Sequence, residues 1–167
     1  MEFSIRPITA DDWAEYRTIR LEMLQDSPTA FLERFSTARR FSDDEWKRRA
    51  ARFSSATSIR LAAISADSEW VGSMGACIPD GATEPVLVAV YVTPAWRGDA
   101  AGVTDALLLE VEAWASARSD SIILEVHEDN ARAMAAYLKR GYVATGNRRP
   151  YDLDPRRDEL EMRKILR

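Results

Sequence analysis

The sequence lacks the residues and runs that several classes of protein need. It has one cysteine and one histidine, which excludes a disulfide within the chain and is too few for a Cys/His zinc site, so no metal is expected. No segment approaches the roughly 18 consecutive apolar residues of a membrane helix. The formal net charge of −4 and the pI near 5.2 argue against nucleic acid or an anionic membrane as the main partner.

Signals for export and for several domains are also missing. The first 13 residues have neither a basic region nor an apolar core, so a cytoplasmic protein is expected. A chain of 167 residues with 46% hydrophobic and 30% charged residues suits one soluble domain spanning 1–167.

Hydrophobic periodicity predicts alternating strands and helices. The expected order is strand 3–8, helix 13–23, helix 42–53, strands 59–64, 70–77 and 86–92, a helix containing 107–115, strand 122–126, helix 130–140, and strands 142–145 and 160–165. The segment 29–41 has no clear period, and the polar segment 146–159 is expected to be a connection rich in arginine and proline.

The strand 86–92 is followed by a helix and then by strand 122–126. This spacing is that of a right-handed crossover, which predicts that the two strands are parallel. The strands before them are joined by short turns and should be antiparallel. A mixed sheet with helices packed on it is therefore expected.

A loop rich in small residues lies between strand 86–92 and the next helix. The first N–H groups of a helix have no partner within it, and the helix dipole adds positive charge there. Small side chains let a phosphate approach these amides, so the residues from Arg97 to Thr104 predict a pyrophosphate site.

Four features together resemble the GNAT superfamily of acetyl-CoA-dependent N-acetyltransferases. They are the opening RPITADDW, the motif YVTPAWRG before a helix, the segment LEVHEDNARAMAAYLKRGY and the closing pair of strands. The resemblance implies an α/β (α+β) fold with a mixed, mostly antiparallel sheet of six to seven strands, about four helices and one parallel pair at the coenzyme site. It also implies direct acetyl transfer to a primary amine of a small molecule or peptide, and a possible homodimer.

The phosphate loop departs from the family pattern, which usually reads R-G-x-G-x-G or -A. Here the residues from Arg97 are R-G-D-A-A-G, and without a gap Gly98 keeps its place while Ala100 replaces the middle glycine. A two-residue insertion after Arg97 fits the helix better, and in that register the amides of Gly102, Val103 and Thr104 meet the pyrophosphate while the phosphate contact of Arg97 is in doubt.

The resemblance also implies how the rest of acetyl-CoA is held. The main-chain groups of Val90, Tyr91 and Val92 would hydrogen-bond the pantetheine as an added strand would. Asn130 would bind the pantetheine arm or act only as a helix N-cap. Arg132 would reach the adenosine phosphates or lie in solvent as a surface residue.

Tyr137 is the candidate general acid, because the family often places a tyrosine four residues before a Gly-aromatic pair, here Gly141 and Tyr142. The alternative is that Tyr137 only packs. His127 is the candidate base by its intrinsic pKa, with Glu125 and Glu84 as weaker options. A route through water, without a protein base, stays open.

Three aromatic residues are candidates for the wall that binds the acceptor: Phe31, Phe35 and Trp46. Cys77 is interpreted as a small core residue. Two other functions stay open, namely a non-catalytic acyl-CoA-binding or regulatory module of the same fold and an interaction domain that binds no nucleotide.

Overall fold

The computed structural model describes residues 2–53 and 55–166, so the first and last residues of the expected domain lie outside the described ranges. Its strands are β1 (Phe3–Pro7), β2 (Ser58–Ser65), β3 (Trp70–Cys77), β4 (Val86–Val92), β5 (Ser121–His127), β6 (Val143–Tyr151) and β7 (Asp154–Ile165). Its α-helices are α1 (Trp13–Asp26), α2 (Phe35–Ala38), α3 (Asp43–Ala51), α4 (Val103–Ser116) and α5 (Ala131–Lys139).

The seven strands form one sheet in the order β1-β2-β3-β4-β5-β7-β6. Only the pair β4–β5 is parallel, and the other neighbours are antiparallel. The expected mixed sheet with one parallel pair is therefore confirmed. Among the described residues, no helix is long and apolar enough to cross a membrane.

Two hydrophobic cores cover the two faces of the sheet. On one face, α4 buries Val103, Leu107 and Val111 completely, and α5 adds Ala133 and Tyr137 at the edge of this core. We call this the α4 face. On the other face, the core is formed by α1 to α3 together with side chains of β4, and we call it the α1 face.

The C-terminal hairpin differs from the expectation. The segment 146–159, expected to be a connection, belongs mostly to β6 and β7, which are longer than expected. Ion pairs between polar residues of the two strands stabilise their pairing, with Arg148 2.9 Å from Asp158 and Arg149 2.8 Å from Glu159. Opposite charges across neighbouring strands stabilise a pairing that no hydrophobic alternation signals.

The segment 29–41, for which the sequence shows no period, contains the short helix α2 and a loop before it. This loop is held against the C-terminal hairpin by two hydrogen bonds, which we call the clasp. The Tyr151 hydroxyl donates to the Phe31 carbonyl at 2.8 Å, and Arg34 donates to the Leu153 carbonyl at 3.0 Å.

The start of α1 is fixed by a carboxylate. Asp12 accepts hydrogen bonds from the Thr9 amide at 2.7 Å and the Thr9 hydroxyl at 2.9 Å, and it pairs with Arg6 at 2.7 Å. Thr9 and Asp12 thus form a capping box at the turn that leads into α1. The Arg6 guanidinium holds the pKa of the Asp12 carboxyl well below its usual range.

We predict that Asp12→Ala lowers the free energy of unfolding by about 1–2 kcal/mol, because it removes a cap and an ion pair. Because the pKa of Asp12 is lower in the folded state, its ionised carboxylate stabilises the fold at pH values above about 4, the pKa in the unfolded chain. This contribution is lost as the pH falls from there toward the folded-state pKa. The difference from wild type in urea unfolding should therefore shrink below pH 4. Asp11→Ala, at the exposed neighbour, is the control, and an equal loss in both variants would contradict the role of Asp12.

Candidate active site

The parallel strands β4 and β5 separate soon after they meet. Their register contains one pair, Val86 with Ile123. Further along β4, Ala89 has a φ of 53°, and the register with β3 shifts so that Ala89 and Val90 have no partner there. Such a bulge bends the strand and opens the gap between β4 and β5.

Main-chain groups of β4 face this gap. The Thr93 amide donates to the Val71 carbonyl on β3 at 2.9 Å. Because main-chain groups alternate along a strand, those of Tyr91 also point to β3, and those of Val92 point to the gap. The Val92 carbonyl already accepts a hydrogen bond from Arg97 at 2.8 Å. In the described part of the chain, Val90 has no partner in the register of β4 with either β3 or β5.

A cavity of about 1030 Å³ passes through the gap and joins the two faces of the sheet. On the α4 face it is lined by the phosphate loop and α5. On the α1 face it is lined by the loop before α2, by the end of β5 and by Glu159 in the middle of β7. The sequence-predicted site residues in its lining are Phe31, Val90, Tyr91, Val92, Arg97, Gly98, Thr104, His127, Asn130, Arg132 and Tyr137.

The phosphate loop ends where α4 begins, at Val103, with Gly102 as the N-cap in the left-handed conformation (φ 71°). Among the described residues, the amides of Val103, Thr104 and Asp105 have no acceptor, whereas that of Gly102 donates to the Gly98 carbonyl at 3.4 Å. A Cβ built at Gly98 or Gly102 meets nothing within 4 Å. The helix entrance therefore offers free donors and open space, as a phosphate requires.

Arg97 and Ala100 do not extend this set of donors. The Arg97 guanidinium is engaged by the Asp26 carboxylate on α1 and by the Val92 carbonyl, so it joins the end of β4 to α1. Any phosphate contact would compete with this ion pair. Ala100 is exposed and lies outside the cavity lining.

Asn130 and Arg132 lie at the start of α5. The Asn130 side chain accepts a hydrogen bond from the Ala133 amide at 3.2 Å, so it is the N-cap of α5. The side-chain nitrogen of Asn130, Nδ2, has no acceptor in the described ranges and is available to a ligand. Arg132 is exposed and forms no ion pair with any described residue, which leaves its guanidinium free at the rim of the cavity.

Tyr137 reaches the gap from the α4 face. Its ring packs edge-to-face on Tyr142, with the centroids 5.7 Å apart. Its hydroxyl makes no hydrogen bond to the described residues, unlike that of Tyr142, which donates to Glu112 at 3.0 Å. Burial raises the pKa of Tyr137 to about 12, so the phenol keeps its proton at neutral pH.

His127 lies on the other side of the gap, on the α1 face. It is 5% exposed and packs edge-to-face on Tyr151. Its Nδ1 accepts a hydrogen bond from the Asp129 amide at 3.1 Å, so the neutral ring carries its proton on Nε2. The lone pair that a base would use is therefore occupied, and this geometry does not favour His127 as the base.

Glu159, which no sequence pattern indicates, places a carboxylate beside His127 on the α1 face. It lies directly opposite His127 in the β5–β7 register, is 8% exposed and lines the cavity. Burial raises its pKa against the opposing attraction of Arg149, whose Nη2 is 2.8 Å away. The sequence does not indicate this role, because 146–159 is expected to be a connection. Only in a strand do alternate side chains lie on a defined face of the sheet, which would have placed Glu159 beside His127.

The two other acids are less suitable. Glu125 lines the cavity and pairs with Arg149 as Glu159 does, but its side chain is 32% exposed, whereas that of Glu159 is 10% exposed. Glu84 lies outside this cavity, and hydrogen bonds from Arg163 lower the pKa of its carboxyl.

The three aromatic candidates for the acceptor wall are separated. Phe31 is 7% exposed and lines the cavity. Phe35 packs against the core of the α1 face and is not in the lining. Trp46 is fully buried, with its ring centroid 5.6 Å from that of Tyr16, and belongs to the core.

In the part of the chain that the structure describes, no group of three or more His, Cys, Asp or Glu side chains could hold a metal ion.

Solved structures share this arrangement of strands and helices. A GNAT-family acetyltransferase from Streptococcus pneumoniae superposes with a TM-score of 0.81 at 20% identity, covering 99% of this chain and 100% of that one. The PaiA N-acetyltransferase from Thermoplasma acidophilum, solved in complex with coenzyme A, gives 0.75 at 20% identity and 99% of both chains. The GNAT domain of S. lividans PAT gives 0.74 at 22% identity, covering 97% and 89%.

At these identities the similarity shows the fold alone. No curated protein sequence is significantly similar to this chain. The sequence profile of the acetyltransferase (GNAT) family, however, matches residues 18–142, which is most of the chain and includes the gap, the phosphate loop and α5. The chain belongs to the GNAT family of acetyltransferases.

Proposed function

We propose that this chain is an N-acetyltransferase that moves an acetyl group from acetyl-CoA to a primary amine of a small molecule or peptide, within a ternary complex. One observation carries the proposal. A single cavity passes through the sheet, with Thr104 from the free amides of α4 and a protonated phenol on the α4 face, and a buried carboxylate on the α1 face.

The residues present fit a coenzyme on the α4 face. The amides of Val103, Thr104 and Asp105 would hold the pyrophosphate, and the open space at Gly98 and Gly102 admits it. The unpartnered main-chain groups of Val90 would bind the pantetheine, and the free amide nitrogen of Asn130 would donate to it. Acetyl-CoA supplies the activated acetyl group as a thioester.

The two faces then divide the proton transfers. Tyr137 holds a proton at its hydroxyl on the coenzyme side, where a thiolate leaves and needs one. Glu159 lies on the side from which the amine enters, and its raised pKa makes it a better proton acceptor at neutral pH than an exposed carboxylate. His127 packs beside Glu159 and presents Nε2–H as a donor.

The test of this function is release of free thiol from acetyl-CoA over a panel of amines that covers amino acids, polyamines, aminoglycosides and N-terminal peptides. Turnover with one class supports the proposal. Binding of coenzyme A without turnover on any amine would favour the non-catalytic module, and no thermal shift with coenzyme A would favour the interaction domain.

We predict that Gly102→Glu raises the KM for acetyl-CoA at least tenfold, because it puts bulk and negative charge at the helix entrance. Gly81→Glu is the matched control, since Gly81 also has a positive φ (78°) and open space but lies in the loop between β3 and β4, away from the start of α4. A KM within twofold of wild type for Gly102→Glu would reject the phosphate site.

We predict that Tyr137→Phe lowers kcat roughly 100-fold and leaves the KM for acetyl-CoA within threefold, because a phenyl ring packs equally but has no proton to give. Tyr142→Phe, which removes a hydroxyl outside the cavity, should keep wild-type kcat. Since the pKa of Tyr137 is about 12, wild-type kcat should show no descending limb below pH 10. An unchanged kcat in Tyr137→Phe excludes the acid role.

We predict that Glu159→Gln lowers kcat/KM for the amine roughly 100-fold at pH 7, because a carboxamide cannot take the proton of the ammonium group. The deficit should shrink toward pH 10, because a growing fraction of the amine has then already lost its proton. Glu161→Gln on the same strand serves as the control. A deficit that stays constant from pH 7 to pH 10 would assign Glu159 a structural role only.

A further inference from the structure

The cavity contains a half-buried arginine that the proposed chemistry does not use. Arg60 lies on β2 and lines the cavity on the α1 face. Its Nε is shielded from solvent and has no hydrogen-bond partner. Within residues 2–53 and 55–166 its side chain forms no ion pair, and its guanidinium stacks over the Phe53 ring, with Cζ 4.7 Å from the ring centroid.

The other arginines of the cavity are different. Arg20, Arg97 and Arg140 each pair with a carboxylate of the chain, namely Glu33, Asp26 and Asp105. Arg132 is exposed to solvent. A stacked ring satisfies the face of a guanidinium but leaves its N–H groups without acceptors, and a shielded cationic donor without an acceptor is costly. Unlike Arg20, Arg97 and Arg140, Arg60 therefore has no carboxylate partner for its shielded N–H group in the described part of the chain.

The path of the side chain shows where that anion would lie. Arg60 is paired with Gly75 on β3, and a Cβ built on Gly75 would be 2.7 Å from the Arg60 Nε and 3.0 Å from its Cδ. The side chain thus crosses β3 over a glycine, in the direction of β4. Gly75 leaves the space through which the guanidinium reaches the cavity.

A second cation lies beside it. Arg20 on α1 also lines the cavity and donates to Glu33 through Nε at 3.0 Å, and its two terminal nitrogens have no acceptor in the described part of the chain. Glu33 is shared with Arg49, whose Nη1 is 2.9 Å away. This corner of the cavity, formed by Arg20 and Arg60, therefore carries excess positive charge, which we call the cationic corner.

The opposite side of the same chamber is acidic. Glu125 and Glu159 line it from β5 and β7, and they share one cation, Arg149. An ammonium group is favoured there and disfavoured at the cationic corner. The chamber on the α1 face thus has opposite charges at its two ends.

We propose that the acceptor is an amine that also carries an acidic group, a carboxylate or a phosphate, which binds to Arg60 and Arg20 while the amine points to the gap between β4 and β5. This inference rests on the proposed function. Guanidinium groups bind both anions through paired N–H donors. Since β4 is one strand spacing, about 5 Å, beyond β3, the amine and the acid are separated by a short chain of a few atoms. Polyamines and aminoglycosides, which carry several cations, do not fit the cationic corner.

The experiment compares matched acceptors in the thiol-release assay. Amino acids with increasing separation between amine and carboxylate are each paired with their own carboxamide, and aminoalkyl phosphates form a third arm. Polyamines and aminoglycosides are the cationic arm. We expect kcat/KM to be at least tenfold higher for one of the acidic arms than for the carboxamides, and the better of the two arms identifies the acid.

The variant Arg60→Met should raise the KM for the acidic amine roughly 10- to 100-fold, the range for loss of a charge-assisted hydrogen bond, and leave the KM for acetyl-CoA within twofold. The preference for acid over carboxamide should fall to within twofold. Arg60→Lys should retain part of this preference. Arg48→Met, on the exposed side of α3, removes an arginine outside the cavity and should change neither value.

The outcomes separate the two proposals. Equal or better turnover of carboxamides or polyamines by the wild-type chain overturns the acidic acceptor and leaves the acetyltransferase intact, as does an unchanged preference in Arg60→Met. Should Arg60→Met fail to fold, the wild-type comparison of acid with carboxamide still decides. Absence of turnover on every arm overturns the proposed function, and the inference with it.

Discussion

The separation of β4 from β5 is the constraint on which the rest of the site depends. Two parallel strands that stayed paired would bury their main-chain groups in each other and close the sheet. The bulge at Ala89 prevents this, because a residue with a φ of 53° cannot continue the ladder. The result is an opening through the middle of the sheet, where unpaired groups of Val90 meet side chains from both faces.

The opening separates two electrostatic environments that would interfere if they were adjacent. On the α4 face, amides at the start of α4 and the phenol of Tyr137 favour negative charge. On the α1 face, acids from β5 and β7 face the arginines of β2 and α1 across one chamber. The sheet keeps the two sets of charges apart, so that the proposed polyanionic coenzyme and charged acceptor would be bound on opposite faces.

Much of this arrangement could be predicted from the sequence, and the part that could not has a physical reason. The run Val86–Val92, the helix after it and the cap at Asn130 are local patterns, and the structure places them as expected. Glu159 and Arg60 were invisible for two different reasons. Glu159 lies in a strand held by ion pairs, without hydrophobic alternation. Arg60 reaches the cavity only because it crosses Gly75, a glycine 15 positions later that strand pairing places beneath it. The Asp129 amide likewise occupies the Nδ1 lone pair of His127, a contact that no sequence motif predicts.

The clasp between the loop before α2 and the C-terminal hairpin joins residues 120 positions apart in the chain. The proposed coenzyme side is built from one continuous stretch, β4 to α5, whereas the proposed acceptor side combines residues of β2 and β5 with segments from near the two ends of the sequence. Substitutions that reshape the acceptor chamber can therefore accumulate in those segments without disturbing the pyrophosphate site. Such a division lets a family keep one donor while its members diverge in what they modify.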